Sequence, residues 1–230
     1  MVGGVVLAGG RSSRMGRPKA TLEWHGSTFV RRVSGLVARA VDGPVIVVRA
    51  PGQELPELPF EVVEDEREGE GPLQGIAAGL GALEGRAAVA YVSAVDVPLL
   101  DPAFVRRVVD ALGDADAAVP VGPQPLAAAY RVELAATARR LLADGERRAR
   151  ALLEECSVRW MEEPGPESLD DPAAYAAARA RPAPAVVVDG RTVRAATLRA
   201  ALGDRLGPGA DPELPLVEGD VVQITRSEPV

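Results

Sequence analysis

The sequence is poor in the side chains that most often carry redox and acid–base chemistry. Among its 230 residues there is one cysteine, Cys156, and one histidine, His25. A single cysteine excludes an internal disulfide framework and any Cys-rich zinc site. A single histidine argues against a His-ligated metal centre and against a Ser-His-Asp triad. There is no basic surplus either: 26 Lys and Arg stand against 33 Asp and Glu, for a net charge of −7. A nucleic-acid binder usually shows the opposite balance, so no nucleic-acid partner is expected. No apolar run approaches the roughly 18 residues that a membrane span needs, so no membrane partner is expected. The opening MVGGVVLAGG lacks a basic leader and runs straight into a glycine-rich turn. It reads as a buried first strand rather than a signal peptide, and the expected compartment is the cytoplasm. Chemistry is left to carboxylates, Lys and Arg side chains, and backbone amides.

What is present is an ordinary globular composition, 47% hydrophobic and 26% charged. The length suits one domain with a small appendage. Strand and helix signals alternate from the start. Val2–Ala8 is a short apolar run ending in glycines. Ser27 or Thr28 can cap the helical stretch FVRRVSGLVARA, and PVIVVR (Pro44–Arg49) and Phe60–Glu64 are β-branched runs. Pro72–Leu83 has helical spacing, and Ala87–Val95 reads as a central strand. Asp101-Pro102 pairs an N-cap with a proline at the first helical position. Ala117–Val121 and Leu126–Arg131 are strand-like, and Val132–Glu155 is helical with a break near Gly145. The charges Glu146, Arg147, Arg148, Arg150, Glu154 and Glu155 read as a solvated face. Asp171-Pro172 caps a short Ala-rich helix. Such alternation predicts an α/β domain, a mostly parallel sheet with helices on both faces.

Two prolines within three residues after that last helix mark 178–184 as a linker, separating a domain over 1–180 from a β-rich extension over 185–230. The extension reads β-β-α-β, with Asp189-Gly190 at a hairpin turn. It is too short to be a robust independent fold. Its apolar alternation (Val186, Val188; Val221, Ile224) suits a small sheet that needs cover. Docking on the main domain or a dimer contact is therefore expected of it, and no catalysis.

The sharpest chemical feature is LAGGRSSRMGRPK, Leu7 to Lys19. A glycine-rich turn directly after a strand frees backbone N–H groups to converge on a phosphate or a nucleotide edge. Arg14 and Lys19 add positive charge to the loop. A tight turn with solvated basic residues accounts for the glycines equally well. The spacing fits neither a Walker A loop nor G-x-G-x-x-G. Asp96 follows the strand Ala87–Val95 and precedes Pro98. That puts a carboxylate at a strand's C-terminal end, where open α/β sheets build their sites. It suits one ligand of Mg²⁺, with water and phosphate oxygens completing the shell; the alternative is a turn-capping Asp. Asp65 ends the strand Phe60–Glu64 on the same rim, among the acidic neighbours Glu64, Glu66, Glu68 and Glu70, which also suit a solvated loop.

LAGGRSSRMGRPK resembles the signature loop of the molybdenum cofactor nucleotidyltransferases, a branch of the sugar-1-phosphate-type nucleotidyltransferases. Three further segments resemble that family in order: VVEDEREGEGPLQGIAAGL, SAVDVPLL and PLAAAYR. Together they span nearly all of residues 1–180. The resemblance implies a Rossmann-like nucleotidyltransferase fold and guanylyl transfer from GTP to molybdopterin, with Mg²⁺ as cofactor. It implies that Lys19, Asp96 and Arg14 are catalytic and that Leu7, Ala8, Gly9, Gly10, Lys19, Asp65 and Asp96 bind the nucleotide. Asp96 would hold the metal. Asp170 falls on an Asn of the family's N-V-N-T-P-E-D segment and is either a second metal ligand or exposed beside the Asp171 cap. The family's Asn near Val48 has no counterpart, since Arg49 and Ala50 stand there. The guanylyl branch reads LAGG and the cytidylyl branch LAAG, which leaves cytidylyl transfer to the same cofactor as the near alternative. Transfer to a sugar phosphate is a further one, and a degenerate transferase acting only as a cofactor-assembly partner is the non-enzymatic one. Other cofactor-assembly proteins and acceptor molybdoenzymes are the implied protein partners. The tail segment DPELPLVEGDVVQITR resembles the end of β-grasp sulfur carriers. Those carriers work through a terminal Gly-Gly; this chain reads Ser227-Glu228-Pro229-Val230 there, so sulfur carriage is not expected.

Overall fold

The computed structural model describes residues 1–9, 16–65, 71–122 and 124–223. Gly10, Arg14, Glu66, Glu68, Glu70, Ile224 and the terminal residues 227–230, named above, lie outside the described residues.

In chain order the elements begin with β1 (Val2–Leu7), a 3-10 turn (Lys19–Thr21), a small hairpin of β2 (Glu23–Trp24) and β3 (Ser27–Thr28), and α1 (Phe29–Ala38). Then come β4 (Val45–Arg49), β5 (Glu61–Glu64), α2 (Pro72–Ala82), β6 (Val89–Ala94) and α3 (Pro102–Ala111). The second half of the sheet follows with β7 (Ala117–Val121), β8 (Ala127–Arg131), α4 (Leu134–Ala143), α5 (Ala149–Glu154), β9 (Val158–Pro164) and α6 (Pro172–Ala180). The chain ends in β10 (Ala185–Val188), β11 (Arg191–Arg194), α7 (Leu198–Leu202) and β12 (Val221–Val222).

Seven strands form one sheet in the order β5-β4-β1-β6-β8-β7-β9. The pairs β5–β4, β4–β1, β1–β6 and β7–β9 are parallel, and only β8 runs against its neighbours. The central strands are apolar on both faces because helices cover both. Side chains alternate between the two layers. Val45 and Val47 of β4 pack with Phe29, Val33 and Leu36 of α1 and Phe104 and Val108 of α3. Ile46 and Val48 pack with Leu73, Ile76 and Leu80 of α2 and Ala135 and Ala138 of α4.

Local signals decide where the helices begin. Thr28 caps α1, its side chain accepting from the Arg31 N–H. Asp101 and Asp171 cap α3 and α6 in the same way, each followed by a proline at the first helical position. The linker expected from 178 begins later: α6 continues to Ala180. The buried indole of Trp24 donates to the Ala178 carbonyl, which ties down that last turn.

The extension is a three-stranded sheet in the order β11-β10-β12. Asp189 and Gly190 both take positive φ, 46° and 80°, as a two-residue hairpin turn of this kind demands. Its core is Val186, Val188, Ala195, Ala201 and Leu216. Val221 was expected to point inward and does not: it is 64% exposed, while Val222 packs on the core. A shift of one residue along a strand reverses which side chains face in.

Candidate active site

Strand register gathers the site. Leu7 pairs with Val48 of β4 and Ala94 of β6, and Arg49 pairs with Glu64 of β5. The residues just beyond these strand ends therefore share one rim: Asp65, Ala50, Gly9 and Asp96. The chain passes from β1 to β4 on one side and later returns to β6 on the other. This places a topological switch point at β1, where open α/β sheets bind ligands.

Lys19 and Asp96 meet at this rim. Lys19 Nζ donates to Asp96 Oδ2 at 2.6 Å, with side-chain exposures of 23% and 13%. The two are 77 residues apart in sequence. The lysine arrives on the 3-10 turn, directly after Pro18. The aspartate sits two residues past β6, and its backbone carbonyl accepts the Leu169 N–H at 2.8 Å. That bond brings the segment carrying Asp170, itself exposed, next to the Asp96 turn.

Asp65 lies half-buried across the rim. Its Oδ1 is shut from solvent and has no hydrogen-bond partner among the described residues. Burial pushes its carboxyl up to about 6. A buried acceptor left open is costly and calls for a partner. The carboxylate borders two glycines: a Cβ on Gly9 would stand 3.4 Å from Oδ2, and one on Gly75 would stand 3.7 Å from Oδ1.

Of the loop after β1 only its start is described, and there the Gly9 amide, expected to face the nucleotide, is already engaged. The Ala8 and Gly9 N–H groups both donate to the Val48 carbonyl, at 2.8 and 3.2 Å, because the β1–β4 ladder runs on past the strand. Gly9 thus offers a missing side chain and no free amide. A Cβ there would stand 3.0 Å from the Ala50 nitrogen. Leu7 is buried between β1 and α2. Ala8 is buried on the α1 side, and its carbonyl accepts the Gln53 Nε2 at 3.0 Å.

Gln53 was not singled out by sequence. Its Oε1 also accepts the Ala50 N–H at 3.0 Å, so one amide side chain holds the loops after β1 and β4 together. Arg49, at the position of the family's Asn, turns to Glu64 at 2.9 Å. Gln53 sits in an irregular segment, and its partner Ala8 lies 45 residues away; only the gap left by the missing Asn hinted at a substitute.

Beside Asp96 a cavity of about 880 Å³ is lined by Gly71, Pro72, Gln124, Leu126, Ser168 and the run Arg147–Arg150. Arg148 and Arg150 are exposed, as a solvated face implies, and with the half-buried Arg147 they also line this cavity. Arg148 is held by Glu146 at 2.6 Å. His25 is elsewhere, at φ 48° in the β2–β3 turn, with Nε2 2.9 Å from the Arg181 carbonyl. Cys156 is a free thiol whose pKa burial pushes up to about 11, an inert state for a nucleophile.

The chain that carries this rim is a nucleotidyltransferase, as its family match shows. The MobA-like NTP transferase domain matches residues 4–162. A protein of Mycobacterium avium described as a probable molybdenum cofactor guanylyltransferase is 41% identical over 158 residues, covering 66% of this chain and 80% of that protein. The chain belongs to the MobA-like NTP transferase family. Among solved structures, molybdopterin-guanine dinucleotide biosynthesis protein A of Archaeoglobus fulgidus shares the fold with a TM-score of 0.61 at 21% identity, over 77% of this chain and 96% of that one. A Mycobacterium tuberculosis protein crystallised with manganese does so with a TM-score of 0.57 at 19% identity, over 77% and 97%. Among the described residues no helix is long and apolar enough to cross a membrane.

Proposed function

We propose that this protein transfers GMP from GTP to the terminal phosphate of molybdopterin, with release of pyrophosphate. The observation that carries the reading is the Lys19–Asp96 contact at the switch point, 2.6 Å long, on the same strand-end rim as Asp65, whose Oδ1 has no hydrogen-bond partner among the described residues. The attacking phosphate is already anionic near pH 7, so the reaction needs alignment and charge neutralisation and no general base. That suits a chain whose histidine is engaged away from the rim.

The residues divide the work by chemistry. Lys19 neutralises the triphosphate. Gly9, lacking a Cβ, lets a base edge approach the loop. The Asp65 carboxylate accepts from the base. Guanine offers two adjacent donors on its Watson–Crick edge, an N–H and an amino group, which one carboxylate can accept together; cytosine offers only its amino group. Gln53 keeps the two loops at fixed separation. Arg148 and Arg150, on the cavity that also holds Asp96, bring positive charge to the acceptor phosphate.

Asp96 fits a divalent ion. A cation, the Lys19 ammonium, already stands on its carboxylate. Among the described residues no three His, Cys, Asp or Glu side chains cluster as an all-protein cage. One carboxylate with water and phosphate oxygens is the usual setting for Mg²⁺, with Asp170 as a candidate second anchor. When bound, the ion would act as a Lewis acid at the α-phosphate. The product would pass in the cytoplasm to acceptor molybdoenzymes, directly or through other cofactor-assembly proteins. Incubation with GTP, Mg²⁺ and molybdopterin, followed by mass spectrometry, tests the reading. It is supported by a mass gain of one GMP on the pterin, lost in Asp96→Asn, and overturned by an unmodified pterin.

A further inference from the structure

Arg32 of α1 is 2% exposed, and no carboxylate among the described residues forms an ion pair with it. It is held instead by three backbone carbonyls. Nε donates to Pro98 at 2.6 Å, Nη1 to Ala196 at 3.1 Å and Nη2 to Leu216 at 3.2 Å. The guanidinium also stacks over the Trp24 ring, 4.2 Å from its centroid. Two of these acceptors belong to the C-terminal extension. The third lies two residues after Asp96.

The extension is clamped to α1 on both sides of this arginine. Arg31 pairs with Asp211, and Arg39 grips Asp220 through two bonds of 2.7 Å. Between them α1 and the extension approach so closely that a Cβ on Gly35 would stand 2.7 Å from Pro215 Cδ. The Asp96 turn is consequently pinned at two points: its carbonyl by the Leu169 N–H, and the Pro98 carbonyl by Arg32.

We infer that the extension is part of the active-site scaffold: docked on α1, it supplies the carbonyls that fix Arg32, and Arg32, as a positioning residue, fixes the turn that presents Asp96. A buried guanidinium needs its donors satisfied. With Ala196 and Leu216 withdrawn, it would turn toward water and release Pro98. This coupling rests on the reading of Asp96 as a metal-holding residue for its catalytic consequence, though not for its existence.

Two full-length variants test it. Gly35→Leu drives a wedge under Pro215 at a helical position that tolerates leucine. Arg32→Met removes the fork and keeps an apolar stem on Trp24. Native-state hydrogen exchange reads the result at the Leu100 amide, bonded to Val97, and the Leu169 amide, bonded to Asp96. Both should exchange about tenfold faster in each folded variant, with the amides of β1 unchanged. Calorimetric titration with Mn²⁺ should show severalfold weaker binding. Where turnover is measured, kcat should fall while KM for GTP stays near its wild-type value. Wild-type exchange at Leu100 and Leu169 in either folded variant overturns the inference. If wild-type protein makes no dinucleotide, the functional reading fails, while the exchange data still decide the coupling.

Discussion

Lys19 Nζ and Asp96 Oδ2 stand 2.6 Å apart, so the ammonium sits on a carboxylate oxygen that a divalent ion would also seek. If Asp96 holds the ion and Lys19 the triphosphate, as proposed above, the two cations would compete for this carboxylate.

Asp96→Asn keeps the size of the side chain and removes the charge. Pyrophosphate release should fall at least about a hundredfold, as when a key electrostatic group is lost. Circular dichroism and the melting temperature should stay close to wild type, because the backbone bond to Leu169 does not involve the carboxylate. Near-normal turnover in the folded variant would remove Asp96 from the chemistry.

Lys19→Ala should separate the two roles of the lysine. Without nucleotide, Mn²⁺ should bind Asp96 more tightly, because the competing ammonium is gone. GTP binding and turnover should weaken together. Isothermal titration of each ligand checks this, and unchanged affinity for both would return Lys19 to an ordinary surface position.

Asp65 gives a pH signature. Its carboxyl is raised by burial to about 6. GTP affinity should therefore drop as the pH falls through about 6, and Asp65→Asn should flatten that profile. The native protein favours the protonated form, so the stability linked to Asp65 is present below the ordinary carboxylate range and lost as the pH rises through about 6. Asp65→Asn should then melt roughly 2–4 °C higher at pH 7.5, the shift that ~1 kcal/mol gives in a domain of this size after solvent screening. At pH 4 the gain should vanish. A variant with wild-type melting at both pH values contradicts the buried-charge assignment.

Gly9→Ala tests base choice. The new Cβ would crowd the Ala50 nitrogen at 3.0 Å and Asp65 Oδ2 at 3.4 Å. Competition binding should show GTP affinity falling more than CTP affinity. Equal losses would mean that the crowding acts on the loop alone and not on the base pocket.

Much of this was legible in the sequence because it is written locally. The apolar run into Gly9, the carboxylate after β6, and the Asp-Pro caps of α3 and α6 are each encoded within a few residues. β9 was not, because both faces of this edge strand carry exposed or part-exposed polar side chains (Arg159 and Glu163 on one, Glu162 on the other, beside an exposed Trp160), which blurs the alternation. β2 and β3 are two residues each, below any periodicity. Arg147–Arg150 looked like a solvated charge run because the cavity beside them is built by segments far along the chain. Arg32 could not be read as buried, since what covers it includes Ala196 and Leu216, more than 160 residues away. Beyond the gap left by the missing Asn, nothing marked Gln53: its partners are backbone atoms, which leave no trace in side-chain pattern.

The most direct test is competition at equal concentrations of GTP and CTP, with molybdopterin and Mg²⁺ in excess, and the dinucleotide products counted by mass spectrometry. The arrangement of Gly9, Asp65, Lys19 and Asp96 leads us to expect the guanine dinucleotide as the dominant product, with pyrophosphate released in equal amount. A dominant cytosine dinucleotide, or no dinucleotide from folded protein, would contradict it.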